Sequence, residues 1–72
     1  MAVEVRAPMV GKVIEVTVEP GSRVAAEDDL VIIESMKMEI PIGAPTAGAV
    51  QAVHVAAGDA VQEHDLLVTL EV

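Results

Sequence analysis

Few side chains in this sequence have the chemistry of a reactive site, and the clearest candidate is Lys37. It lies in the stretch Ser-Met-Lys-Met, residues 35–38, which interrupts the most strand-like part of the chain, residues 30–42. A tight turn between two apolar strands normally carries Asn-Gly or Asp-Gly, because its central residues need positive φ angles. The pattern therefore predicts a hairpin with a strained turn on Met36 and Lys37, which would present the lysine at its tip.

The other residue types that do chemistry form no recognisable site. The chain has no cysteine, and His54 and His64 have no partners at metal-ligand spacing, so no metal site is predicted. No Ser-His-Asp arrangement, glycine-rich phosphate loop or paired acid and base is present. Lys12, the only other lysine, lies in the strand-like segment GKVIEV and is predicted to be an ordinary surface residue. The domain is not expected to be catalytic on its own.

A two-residue turn at Met36 and Lys37 fixes the register of the hairpin. It pairs Ser35 with Met38, Glu34 with Glu39, Ile33 with Ile40 and Val31 with Ile42. The period of two along a strand then places Met38 on the same face as the apolar core residues, so partial packing of Met38 is predicted. Glu34 and Glu39 lie opposite each other on the other face, where like charges are destabilising.

The elements that position this hairpin come from an internal repeat. When the sequence is aligned with itself at an offset of 37 positions, residues 7–34 show 12 identities over 28 positions. Residues 1–35 map onto residues 38–72 without an insertion, and only Met36 and Lys37 have no counterpart. Residues 1–72 are therefore interpreted as a single domain built from two copies of one unit and joined by a Met-Lys dipeptide.

Each copy has the same order of strand and turn signals. Alternating apolar residues predict strands with one buried face, and segments such as Glu-Pro-Gly-Ser (residues 19–22) predict turns. Short strands follow at Val24 and Val61. The fold class is all-β: about eight strands in two four-stranded antiparallel sheets with pseudo-twofold symmetry, packed as a flattened barrel or sandwich. The same symmetry predicts that the two chain ends pair, with Val3 beside Leu70 and Val5 beside Val68.

The amino-acid composition and net charge argue against several classes of function. Valine is abundant and no aromatic residue is present, which favours β structure. The net charge of −8 makes nucleic acid an unsuitable partner, since phosphate binding needs clustered basic residues. No apolar run approaches the ~20 residues of a membrane span, so no membrane insertion is predicted. The N-terminal residues lack a signal-peptide pattern, and a cytoplasmic protein is expected.

The segment ESMKMEI, flanked by APMVGKV and APTAGAV, resembles the biotinyl domain of biotin-dependent carboxylases and decarboxylases. The resemblance covers essentially the whole chain and is strongest to short biotin carboxyl carrier or biotin/lipoyl attachment proteins. It implies that Lys37 carries biotin as an amide, that Met36 and Met38 are read by the ligase and partner enzymes, and that Glu34 and Glu39 are candidate determinants at the tip. The repeats align without a gap, so the protruding "thumb" of certain acetyl-CoA carboxylase carriers has no room here. Long linkers that precede many carriers are also missing, which fits either a stand-alone protein or a piece of a longer one.

The resemblance further implies a cycle in which this domain is a swinging-arm carrier. A biotin protein ligase attaches biotin to Lys37, a biotin carboxylase loads a carboxyl group, and a carboxyltransferase or decarboxylase subunit receives it. Two alternatives stay open at this point. The first is a lipoyl carrier, although lipoyl hairpins typically read Asp-Lys-Ala. The second is an unmodified barrel that acts as an adaptor.

Overall fold

The computed structural model describes residues 1–72 as eight β-strands without a helix. The strands are β1 (Ala2–Arg6), β2 (Gly11–Val16), β3 (Arg23–Val24), β4 (Asp29–Ser35), β5 (Met38–Gly43), β6 (Gly48–Val53), β7 (Ala60–Val61) and β8 (Leu66–Glu71). They form two four-stranded antiparallel sheets, ordered β1-β8-β6-β3 and β5-β4-β2-β7. This confirms the predicted fold class, including the short strands at Val24 and Val61. Since the structure has no helices, it contains no helical segment that could span a membrane.

The two sequence repeats are interlocked. Each sheet takes two strands from residues 1–35 and two from residues 38–72. The first sheet closes when β1 pairs with β8 at the two ends of the chain. Val3 lies beside Leu70 and Val5 beside Val68, as the repeat predicted. Because every sheet needs strands from both copies, one copy alone cannot complete either sheet.

The two repeats share the same irregularities of strand register and backbone φ angle. β2 and β6 each contain a register shift at the equivalent position, after Val13 and after Val50. Such a shift inserts one extra residue into a strand, and it explains why two residues rather than one separate Val13 from Val16. Of six residues with positive φ, four form repeat-related pairs and two have no counterpart. The pairs are Glu27 (73°) with His64 (74°) and Gly21 (95°) with Gly58 (99°), while Met36 (53°) and Lys37 (65°) stand alone.

The core lies between the sheets and is entirely aliphatic. Most of its fully enclosed residues are in β4 and β8, which are interior strands of the two sheets. Thirteen buried apolar residues form one cluster: Val5, Ala7, Val13, Leu30, Val31, Ile33, Ile42, Ala44, Val50, Val61, Leu67, Val68 and Leu70. The hairpin of β4 and β5 is therefore anchored mainly by the buried side chains of β4, and its tip extends past the core.

Candidate functional site

Met36 and Lys37 occupy the two central positions of the turn between β4 and β5. Ser35 pairs with Met38 directly before and after them. Positive φ at both positions (53° and 65°) is typical of a type I′ turn, which confirms the predicted turn. A residue with a side chain is disfavoured in this region by about 1–2 kcal/mol, because its Cβ approaches the following carbonyl oxygen. The turn thus places Lys37 outside both sheets, although its backbone conformation is locally unfavourable.

The Lys37 side chain is exposed and has no protein partner. The structure contains three ion pairs, and none involves Lys37. Its ammonium group donates no side-chain hydrogen bond either, so the amine is available to an external reagent. Such an amine can form an amide, which removes its positive charge. The site therefore fits a group attached through a carboxyl carbon.

Acidic side chains flank the base of the turn. Glu34 and Glu39 are exposed and lie opposite each other, in the predicted register. On its other side Glu34 lies opposite Lys12 of β2, so one row across the outer face of the sheet reads Glu39, Glu34, Lys12. Lys12 is exposed, as predicted. The structure brings these three side chains to the lysine-bearing end of the sheet.

The two flanking methionines are exposed apolar residues. Met36 is 90% exposed and Met38 is 61% exposed. The prediction that Met38 packs partly into the core is therefore wrong. Its position in the strand does point to the core side, but at this last register step only the β4 residue Ser35 is buried, and its β5 partner Met38 lies beyond the cover of the core. Both methionines are thus available to a partner.

The structure adds two residues that the sequence did not single out. Ser35 is the only buried polar residue, and its hydroxyl donates a 2.8 Å hydrogen bond to the carbonyl oxygen of Val10. Val10, in the connection between β1 and β2, is 57% exposed beside the hairpin. One signal was present in the sequence, because the repeat counterparts of Met9 and Val10 are the smaller Thr46 and Ala47.

The hairpin tip and the chain ends lie at opposite ends of a molecule measuring 32 × 17 × 17 Å. β2 starts beside the hairpin base and runs away from it, and the chain then reaches Arg23. Arg23 pairs with Ala49, which in turn pairs with Glu71 near the termini. There the Met1 amino group donates to the Val72 carbonyl oxygen at 3.0 Å. The two surface depressions are lined by other residues and do not include Lys37.

The strain in the turn leads to a stability prediction. We expect Met36→Asn to raise the free energy of unfolding by about 1 kcal/mol, since asparagine tolerates the left-handed conformation better than methionine does. Urea unfolding followed by circular dichroism measures the change. The control is Met38→Asn, at an exposed residue outside the positive-φ set. An equal gain in both variants would show that loss of surface methionine, and not relief of backbone strain, is the cause.

The sequence is similar to a known protein family and to individual proteins. The family model described as "Biotin-requiring enzyme" matches residues 3–70. The biotinylated protein TB7.3 homolog of Mycobacterium leprae is 47% identical over 70 residues, covering 97% of this chain and 99% of that protein. The mitochondrial propionyl-CoA carboxylase alpha chain of Homo sapiens is 48% identical over 66 residues, covering 92% of this chain. The chain spans only 9% of the length of that carboxylase subunit.

Solved structures share the fold. A part of the Kluyveromyces lactis urea carboxylase, 6% of its length, superimposes on 99% of this chain with a TM-score of 0.93 and 30% identity. The lipoyl domain of the 2-oxoglutarate dehydrogenase complex from Azotobacter vinelandii covers 96% of this chain with a TM-score of 0.81 and 25% identity. Biotinyl and lipoyl domains therefore share this fold, and the fold by itself does not distinguish them. Because a family model spans residues 3–70 and a relative of nearly equal length is 47% identical, the chain belongs to the family of biotin-requiring enzymes.

Proposed function

We propose that this chain is a biotin carboxyl carrier, with biotin attached as an amide to Lys37. The observation that carries the proposal is the turn itself: Met36 and Lys37 are the only positive-φ residues without a repeat counterpart. In a member of a biotin-requiring family, this departure from symmetry exposes one unpaired lysine amine at a hairpin tip. When bound, biotin supplies a ureido nitrogen that accepts and releases a carboxyl group.

The chain's own contribution is presentation and tethering. The buried residues of β4 hold the hairpin rigid, and the exposed lysine stem lets the attached group reach outward. A tether raises the effective concentration of the attached group at each partner site, so the contacts between carrier and partner can remain weak. Reaction chemistry then belongs to the partners. These are a biotin protein ligase, a biotin carboxylase that uses ATP and bicarbonate, and a carboxyltransferase or decarboxylase subunit.

Charge supports encounters with such partners. Amide formation removes one positive charge from a chain of net charge −8, giving −8 − 1 = −9. Glu34 and Glu39 remain near the modified tip, with Met36 and Met38 between them along the hairpin. A basic rim around a partner's active site would be attracted to this end, mainly through a faster association rate. The acceptor is proposed to be an acyl-CoA, as in acetyl-CoA carboxylase, or a 2-oxo acid, and the location is proposed to be the cytoplasm.

A lipoyl carrier is the second candidate, because a lipoyl domain shares the fold with a TM-score of 0.81. The relatives favour biotin, since the matched protein of nearly equal length is named as biotinylated and the other is a carboxylase subunit. The methionines on both sides of Lys37 agree with that preference. An adaptor function would instead leave Lys37 unmodified.

Intact mass separates these functions. The protein is produced with a biotin protein ligase in one culture and with a lipoate ligase in another, and each product is digested to locate the adduct. We expect a single biotin adduct from the first culture, and then incorporation of labelled bicarbonate when the product is mixed with a biotin carboxylase and ATP. Unmodified protein in both cultures would favour the adaptor, and an adduct from the lipoate ligase alone would favour the lipoyl carrier.

A further inference from the structure

Three exposed apolar residues lie at the Lys37 end of the sheet, and they come from two separate parts of the chain. Met36 (90% exposed) and Met38 (61% exposed) belong to the hairpin, and Val10 (57% exposed) belongs to the connection between β1 and β2. We call these three residues the tip collar. Val10 lies 27 residues before Lys37 in the sequence (37 − 10 = 27), so the collar exists only in the folded protein.

One hydrogen bond to Val10 and one close backbone approach at the next residue hold this segment against the hairpin. The buried Ser35 hydroxyl donates to the Val10 carbonyl oxygen at 2.8 Å. At the next residue, a Cβ added to Gly11 would lie 2.7 Å from the Glu34 carbonyl oxygen, so the two backbones approach as closely as a glycine permits. Lys12 pairs with Glu34, and the same antiparallel register continued by two residues places Val10 level with Met36. Val10 is thus a fixed neighbour of the turn.

We propose that Val10 is a specificity-determining residue for modification of Lys37, and that Ser35 is the positioning residue that keeps it in place. This inference rests on the proposed function. The occupant of the collar is the biotin protein ligase, because the enzyme that acylates Lys37 must bring its surface within reach of one lysine stem. Its contact surface is therefore continuous with the lysine entrance, and it meets the collar with apolar side chains.

The chemistry of the modification makes close contact unavoidable. The reaction joins Nζ of Lys37 to the carboxyl carbon of biotin and releases a proton from the amine. ATP is cleaved to AMP and pyrophosphate, and AMP carries off the displaced carboxylate oxygen. Exposed apolar side chains around the reacting amine lose water when the ligase covers them, and this burial favours binding. Val10 contributes to binding of the folded carrier without touching the reacting atoms.

The test measures biotin transfer to Val10→Ser by a purified biotin protein ligase, with the carrier as the varied substrate. We expect KM to rise about fivefold with kcat within about twofold, since the change removes roughly one to two methylene equivalents of apolar contact. The matched control is Val72→Ser, at a valine that is 47% exposed at the opposite end of the molecule. A wild-type KM for Val10→Ser, a change confined to kcat, or an equal rise for Val72→Ser would overturn the inference.

Ser35→Ala tests the positioning role through a double-mutant cycle. We expect Ser35→Ala to raise KM about twofold to threefold in the wild type and to have almost no effect when Val10 is already serine, because contacting residues are energetically coupled. Additive effects would overturn the role of Ser35. Wild-type protein that takes no biotin would overturn both this inference and the proposed function, whereas a normally biotinylated wild type with a neutral Val10→Ser overturns this inference alone.

Discussion

Replacing Lys37 by arginine is expected to abolish biotin attachment and to leave the fold unchanged. Arginine keeps the positive charge and a long stem at the turn, but its guanidinium stays protonated and cannot serve as the acylated amine. The Lys37 side chain takes part in none of the ion pairs, so its replacement breaks no contact of that kind. Intact mass after co-expression with a biotin protein ligase measures the loss, and thermal unfolding checks the fold.

Lys12→Arg is the matched control, because Lys12 is the only other lysine in the chain. It lies within β2, opposite Glu34, and its exposed side chain projects from a strand and not from a turn. We expect this variant to carry the same biotin adduct as the wild type. A biotin adduct on Lys37→Arg, or loss of the adduct in Lys12→Arg, would contradict the assignment of the site.

Ile33→Ala is expected to cause the largest loss of stability among single changes near the site. Ile33 in β4 has no exposed surface and belongs to the central apolar cluster. Truncating a buried isoleucine to alanine costs about 2–5 kcal/mol, through lost burial and the cavity left behind. A domain of this length has a total stability of roughly 4–11 kcal/mol, so the change removes a substantial fraction of it. Urea unfolding gives the free energy, and intact mass shows how far biotinylation falls with the folded fraction.

Ile32→Ala supplies the control for this prediction. Ile32 is the preceding residue of the same strand, but its side chain points to the outer face and is only half-buried. We expect a loss of less than about 1.5 kcal/mol, because little cavity can form at a partly solvated position. If both changes destabilised the protein equally, the division of β4 into a core face and an outer face would be incorrect.

Much of the hairpin could be predicted from sequence because the repeat restricts it so strongly. Once residues 1–35 are mapped onto 38–72, Met36 and Lys37 must connect two paired strands, and the register of Glu34 with Glu39 follows. Positive φ at both residues then follows from the need to match the twist of the strands with a two-residue loop. The same reasoning, applied to the other end of the repeat, predicts that β1 pairs with β8.

The contacts around the hairpin tip cannot be predicted from the alternation of apolar and polar residues along the strands. A period of two assigns Met38 to a face of its strand, but it does not say how far along the strand the opposite sheet provides cover. The hydrogen bond from Ser35 to Val10 joins residues 25 positions apart, and it depends on how closely β2 approaches β4 at Gly11. For that reason the sequence pattern alone does not identify the contact between Ser35 and Val10.

The interlocked strand order also determines how the chain can reach this structure. β4 and β5 are neighbours in sequence and pair through a two-residue turn, whereas β1 and β8 must come together from the two ends of the chain. Closing a loop costs more entropy as it lengthens, so we expect the lysine hairpin to form early and the β1–β8 pairing to form last. The kinetic φ-value of a mutation is the change in the activation free energy of folding divided by the change in stability. We expect it to be near one for Ile33→Val and near zero for Leu70→Val, and the reverse order would contradict this sequence of events. A chain that stalls before the last step would already display its lysine while its first and last strands remain unpaired, and those open strand edges would make it prone to aggregation.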